Sequence, residues 1–148
     1  MATRAKTFTY ETGLRWDKGL ESVASAPGKP DIRVSAPPEF KGPEGQWAPE
    51  NLYVSSIESC LLFTFLALAK SRKLDFTAYH SQAEGLLEPV MGKLVVSTVT
   101  VRPTITVRDD DGREKALAIV ESMEANCFIS NSVESEIVIK PEIVVASE

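Results

Sequence analysis

Trp47-Ala48-Pro49-Glu50-Asn51-Leu52 opens a run (WAPENLYVSSIESCLLFTFLALAKSRK, residues 47–73) whose character decides how the rest of the chain must fold. Pro49 suits a first helical turn, where its missing N–H would be unpaired in any case. Glu50 places negative charge near the helix N-terminus, and Lys70, Arg72 and Lys73 place cations at the other end. Between Ile57 and Ala69 the residues are apolar on nearly every side, interrupted only by Glu58, Ser59 and Thr64. A helix of that kind is expected to be buried on most of its faces, not laid on a surface. Cys60, one of only two cysteines, sits in its middle.

The 148 residues are enough for one domain with a proper core, and residues 1–148 read as a single domain. Hydrophobic residues make up 43% and charged residues 25%, as in an ordinary soluble globular protein. A net charge of −5 without a basic cluster argues against nucleic acid as a partner. The most apolar window, Ser59 to Ala69, falls short of the roughly 20 residues that span a bilayer, so no membrane partner is expected. No apolar signal core follows Met1 to Lys6, which gives a cytoplasmic expectation. The two cysteines lie 67 positions apart and form no zinc pattern, and the single histidine, His80, adds little, so neither metal nor cofactor is expected.

Upstream of the helix, the alternating Thr7–Trp16 run predicts a strand, Asp17-Lys18-Gly19 a tight turn, and Leu20–Ala26 the returning strand. Asp31–Ala36 predicts a third short strand, and Pro37-Pro38 opens an ordered loop to the helix. Downstream, Asp75–Leu87 and Leu94–Val107 predict strands separated by Val90-Met91-Gly92, with Pro103 marking an edge or a bulge. Asp109-Asp110-Asp111-Gly112 predicts a turn whose aspartate caps a helix over Glu114–Ala125. Phe128–Val133 predicts a turn or short helix, and Ile137–Val145 a closing strand with Pro141 near its centre. The fold class is therefore α+β and mostly antiparallel. One sheet covers one side only of an apolar helix, so a second copy of the chain is expected on the other side. That means an obligate homodimer with an interface above about 1,600 Å².

Each cysteine has a plain interpretation as a small packed hydrophobe. One deep thiol and one at an element end also suit an attacking and a resolving pair. A peroxide would oxidise the first to a sulfenic acid, and the second would condense with it to a disulfide. Such an attack needs thiolate, and a nearby cation is the usual means of supplying it.

Ala48-Pro49-Glu50-Asn51-Leu52, with Cys60 eight residues after Leu52, resembles the N-P-E-x-L…C helix of the OsmC/Ohr family of thiol peroxidases. Cys127-Phe128-Ile129-Ser130-Asn131-Ser132-Val133 resembles that family's second motif, C-P-[IV]-S-N-x-[LV], and Arg102-Pro103 in a Val/Thr-rich strand is similar as well. The resemblance runs from about Leu14 to Val144 in the same element order. It implies an intertwined α+β homodimer whose long central helices are buried between two sheets. It also implies that Cys60 is the peroxidatic cysteine, Cys127 the resolving cysteine, and Glu50 the acid that holds a catalytic arginine. The implied substrate is a small organic hydroperoxide, and the implied electron donor a thiol or dithiol reductant. The family arginine belongs to a G-R-x-G-type turn, whereas this chain has Asp17-Lys18-Gly19-Leu20 there. Arg15, Arg33 and Lys18 are the nearest substitutes. Trp16 to Leu20 resembles the less characterised OsmC-like branch, and Phe128 stands where the motif has proline.

If Glu50 and Cys60 share one helix they lie about 15 Å apart at about 1.5 Å per residue. Either the helix begins after Pro49 or Glu50 serves the partner subunit's thiol. Among other candidates, His80 reads as a surface histidine, Asp109–Asp111 as a solvated turn with a cap, and Trp16 and Trp47 as core or pocket wall. The competing function is a catalytically silent dimer that binds a small hydrophobic ligand at the subunit interface, with both cysteines as packing.

Overall fold

The computed structural model describes residues 5–147, in two compact units divided between Leu52 and Tyr53. The first unit is an antiparallel meander of β1 (Gly13–Lys18), β2 (Glu21–Ser25) and β3 (Ile32–Ser35). β1 and β2 pair from Gly13↔Ser25 to Lys18↔Glu21, with a bulge between Trp16 and Lys18, and Gly19 turns the corner at φ +50°. β1 is shorter than the Thr7–Trp16 run predicts. Strand propensity alone does not make a strand, and β2 ends at Ser25, so residues before Gly13 have no β2 residue opposite them. Trp16, expected as core or pocket wall, is 76% exposed in the single chain.

Helix α1 (Pro49–Ser71) starts where the sequence places it. Ala48 is a poor cap, but the Asn51 side chain reaches back and accepts from the Ala48 N–H at 2.9 Å. That is half of a capping box. At the other end, Leu74 N–H donates to the Ala69 carbonyl (2.8 Å) and Lys73 N–H to the Lys70 carbonyl (3.3 Å), with Lys73 left-handed at φ 57°. This is a Schellman close built on a lysine where glycine is usual.

The second unit holds a sheet with β5 (Lys93–Val107) at its centre. Antiparallel β4 (Phe76–Val90) runs along one side of it, and β6 (Glu136–Ile139) and β7 (Glu142–Val145) lie parallel along the other. The predicted closing strand is thus two strands, broken at Lys140-Pro141. Pro103 faces that break, between the pairs Val101↔Ile139 and Thr104↔Glu142, so its missing N–H falls where no continuous partner runs. Odd-numbered residues of β5 from Val99 to Val107 point inward with strand period.

Helix α2 (Asp110–Asn126) begins four residues before the predicted Glu114, because Asp109 caps it by accepting from the Gly112 N–H at 2.8 Å. Asp110 and Asp111 pair with Arg113 and Lys115 along the same helix, which makes this acidic run a helix start. Ile57, Leu61, Phe65 and Ala69 of α1, Ile119 and Met123 of α2, and Val99, Val101 and Ile105 of β5 form one core. Each large apolar side chain fully buried there contributes about 1.5–3 kcal/mol. In the single chain α1 buries only that i, i+4 stripe, and Phe63, on its other side, is 65% exposed. By length and composition α1 could cross a membrane, so its apolar span is longer than the Ser59–Ala69 window implies. Its buried stripe nonetheless packs against β5 and α2.

Candidate active site

Cys60 lies in the middle of α1 and Cys127 at the C-cap of α2, and the second unit brings them together as neighbouring free thiols of one core. Cys127 is fully buried, and Cys60, half-buried, packs against the same core. Immediately after Cys127 the chain makes a helical turn, in which Asn131 N–H donates to the Cys127 carbonyl at 3.0 Å. This turn aims successive amides at the two sulfurs. Ser130 N–H donates to Cys127 Sγ at 3.4 Å, and the Phe128 and Ile129 amides lie near enough to Cys60 to favour its thiolate.

The two thiols are thereby made unlike. Burial pushes the Cys60 thiol up. The neighbouring Cys127 thiol, the Ile129 and Phe128 amides and Thr64, whose hydroxyl donates to the Cys60 carbonyl at 2.8 Å, outweigh it, and Cys60 falls below the ordinary thiol value. Burial and the adjoining Cys60 sulfur push Cys127 up, and the neighbouring Ser130, whose backbone N–H meets the sulfur, reverses only part of that. Hydrogen bonds to a thiolate favour ionisation as a nearby cation does. Of the two sulfurs, Cys60 is the one whose surroundings favour the thiolate, and Cys127 the one whose surroundings favour the thiol. The groups that act most strongly on Cys60 include no cation.

A cleft of about 620 Å³ opens onto Cys60. Phe63, Ala67, Leu68, Phe128 and Ile129 supply apolar walls, and Ser56, Ser59, Thr64 and Asn126 complete an uncharged lining. A larger groove of about 890 Å³ lies at the β4–β5 hairpin between Tyr53, Val96 and Met91, but no thiol or other nucleophile of comparable activation lines it. The smaller cleft is the one that reaches a cysteine.

Glu50 lies in the first turn of α1, its Oε2 buried without a partner. Because α1 is continuous from Pro49, the alternative of a later helix start is removed, and Glu50 stands about 15 Å along the axis from its own Cys60. Arg33 is held by Asp17 at 2.8 Å and by Glu21 at 3.4 Å. Arg15 and Lys18 lie on the exposed strand β1. His80 is exposed on β4, opposite Thr104, and Trp47 lines a small open cleft with Gln46 and Asn51. Thr64 and the amides of residues 128–130 were missed from the sequence. Thr64 had a signal, since it sits one helical turn after Cys60, but backbone donors carry none.

The family model for OsmC-like proteins matches residues 42–142, which covers both cysteines and Glu50, and the chain belongs to that family. It is 22% identical over 112 residues to YmaD, an uncharacterized protein of Bacillus subtilis, covering 74% of this chain and 75% of that protein. Among solved structures, an OsmC-like protein of unknown function from Vibrio cholerae superposes with a TM-score of 0.84 at 23% identity, covering 91% of this chain and 99% of that one. An organic hydroperoxide resistance protein from Legionella pneumophila superposes at 0.73 and 19% identity, with coverage of 95% and 100%. The α+β architecture expected from the sequence is that of these OsmC/Ohr proteins.

Proposed function

We propose that the protein is a cytoplasmic, thiol-dependent peroxidase that reduces small organic hydroperoxides. The observation that carries this is the pair of neighbouring, unlike thiols: Cys60 opens onto an uncharged apolar cleft and is favoured as thiolate, and Cys127, buried behind it, is favoured as thiol. The Cys60 thiolate attacks the terminal peroxide oxygen; an S–O bond forms, the O–O bond breaks, and the alkoxide leaves as alcohol after taking a proton. Cys127 then attacks the sulfenic sulfur; an S–S bond forms, the S–O bond breaks, and water leaves. An external thiol or dithiol reduces the disulfide and closes the cycle. The OsmC/Ohr family membership and the resistance function named for the Legionella relative support this reading.

The catalytic unit in this proposal is a homodimer. Phe63 and Leu66 on the open side of α1, and Leu14 and Trp16 on β1, are apolar surface that a second copy would cover. Glu50, too distant from its own Cys60, then serves the partner subunit. The competing reading, a silent dimer that binds a hydrophobic ligand, is favoured by the uncharged cleft and by the absence of a cation among the strongest influences on Cys60. Titration of reduced protein with an organic hydroperoxide separates the two. A peroxidase consumes one equivalent per chain, loses both thiols and yields a Cys60–Cys127 linked peptide. The silent protein keeps its thiols.

A further inference from the structure

During the first step Cys127 is useful as a thiol, because a neutral neighbour favours the Cys60 thiolate as a second thiolate would not. Once Cys60 is oxidised the requirement reverses, and Cys127 must itself become the nucleophile. Its setting opposes that, since it is fully buried and burial disfavours a thiolate. Something must receive the charge that forms on this sulfur.

Ser130 is placed to do so. Its backbone N–H already donates to Cys127 Sγ at 3.4 Å, which fixes the residue against that sulfur. Ser130 is only 9% exposed, and its hydroxyl is buried with no hydrogen-bond partner in the reduced protein. A buried hydroxyl left unpartnered is costly and calls for an explanation. Shaping the turn does not supply one, because other donors close it: Ser130 N–H onto the sulfur, Asn131 N–H onto the Cys127 carbonyl and Ser132 Oγ onto the Phe128 carbonyl. The hydroxyl is a donor held in reserve beside a sulfur that is neutral in one step and charged in the next.

We propose that Ser130 is a catalytic residue of the resolving step, its hydroxyl donating to Cys127 Sγ as that sulfur loses its proton and attacks the oxidised Cys60. The step balances without a further reactant: the Cys127 proton leaves with the hydroxide displaced from the sulfenic acid, as water. This rests on the peroxidase reading for its place in the cycle, although the chemistry of Cys127 can be measured apart from any peroxide. A hydrogen bond to a charged group is stronger than one between neutral groups, and its loss slows a step that builds that charge by about tenfold or more.

The test uses two arms on wild type, Ser130→Ala and Ser130→Thr. In the first, an aryl disulfide reagent (5,5′-dithiobis-2-nitrobenzoate) loads Cys60 as a mixed disulfide, and Cys127 then displaces the second coloured thiolate. Ser130→Ala is expected to load Cys60 at the wild-type rate and release the second thiolate at least about tenfold more slowly, with its pH profile moved alkaline. Ser130→Thr, which restores a hydroxyl, is expected to recover much of the rate. In the second arm an organic hydroperoxide replaces the reagent, and slower ring closure in Ser130→Ala leaves more sulfenic acid for dimedone to trap. Ser130→Gly, which adds no atom, carries the same comparison if the alanine variant is insoluble. Wild-type closure rates in both hydroxyl-free variants would overturn the proposal. If Cys60 resists hydroperoxide while the exchange still slows, the peroxidase reading falls and the role of Ser130 stands.

Discussion

Replacing Tyr79 by phenylalanine is expected to stabilise the protein, and to do so increasingly at alkaline pH. Tyr79, on β4, packs its ring against Phe65 with centroids 5.1 Å apart, a contact that phenylalanine keeps. Its hydroxyl is buried without a partner. The carboxylate of Glu58, which accepts from Ser81 Oγ at 2.6 Å, is also close. A hydroxyl buried unpartnered costs about 1–3 kcal/mol, so its removal is worth about 1 kcal/mol at neutral pH. Burial first, and the Glu58 charge second, push the phenol up to about 12 from 10.0. Between those two values the unfolded chain gives up the phenolic proton while the folded chain keeps it. The unfolded state therefore binds fewer protons, and stability falls as pH rises. Two units correspond to about 2.7 kcal/mol at most, and screening at a half-buried ring reduces this to about 1 kcal/mol. The assay is urea unfolding of wild type and Tyr79→Phe at equal protomer concentration from pH 7 to pH 11. The variant is expected to lead by about 1 kcal/mol at pH 7 and about 2 kcal/mol at pH 11. A less stable variant at pH 7 would refute the unpartnered hydroxyl, and parallel pH curves would refute the raised phenol.

Lys73→Gly relieves a left-handed lysine while keeping both closing hydrogen bonds of α1, so unfolding is expected to require about 1 kcal/mol more. Calorimetry should show a rise of about 2–4 °C in Tm, and a fall would count against the Schellman close. Phe63→Asp puts a charge on the uncovered side of α1. Sedimentation at micromolar concentration is expected to show dimer for wild type and monomer for the variant, and a monomeric wild type would remove the intertwined assembly. Cys60 lies below the ordinary thiol value and Cys127 above it. Near neutral pH iodoacetamide should therefore label Cys60 first, with Cys127 following only as pH rises. Equal labelling of both would show that the turn does not distinguish the sulfurs.

The α1 run was legible because its apolar density and its ends agree: Pro49 in the first turn, cations in the last. A cap within Asp109–Asp111 and the Met91-Gly92 corner were legible for similar local reasons, although which aspartate caps, and so where α2 starts, was not. The N-terminal strand was not, since pairing depends on how far β2 extends, which local propensity does not encode. Nor was the division of the closing strand, where Pro141 and Pro103 matter jointly only once β5 is known to sit between β4 and β6/β7. At the site, both cysteines were legible as a pair. What tunes them was not, because a cation is what a sequence can display, whereas the groups beside these sulfurs are mainly backbone amides placed by one short turn.

The account rests on Cys60 and Cys127 acting in sequence. The most direct measurement is stopped-flow oxidation of reduced wild type, Cys60→Ser and Cys127→Ser by an organic hydroperoxide, followed by thiol counts. Wild type is expected to lose two thiols and to turn over with a dithiol reductant. Cys127→Ser should undergo a single oxidation, trapped as a sulfenic acid, and Cys60→Ser should not react. Slow, equal oxidation of both thiols, unaffected by either substitution, would contradict the peroxidase account and leave a hydrophobic-ligand binder in its place.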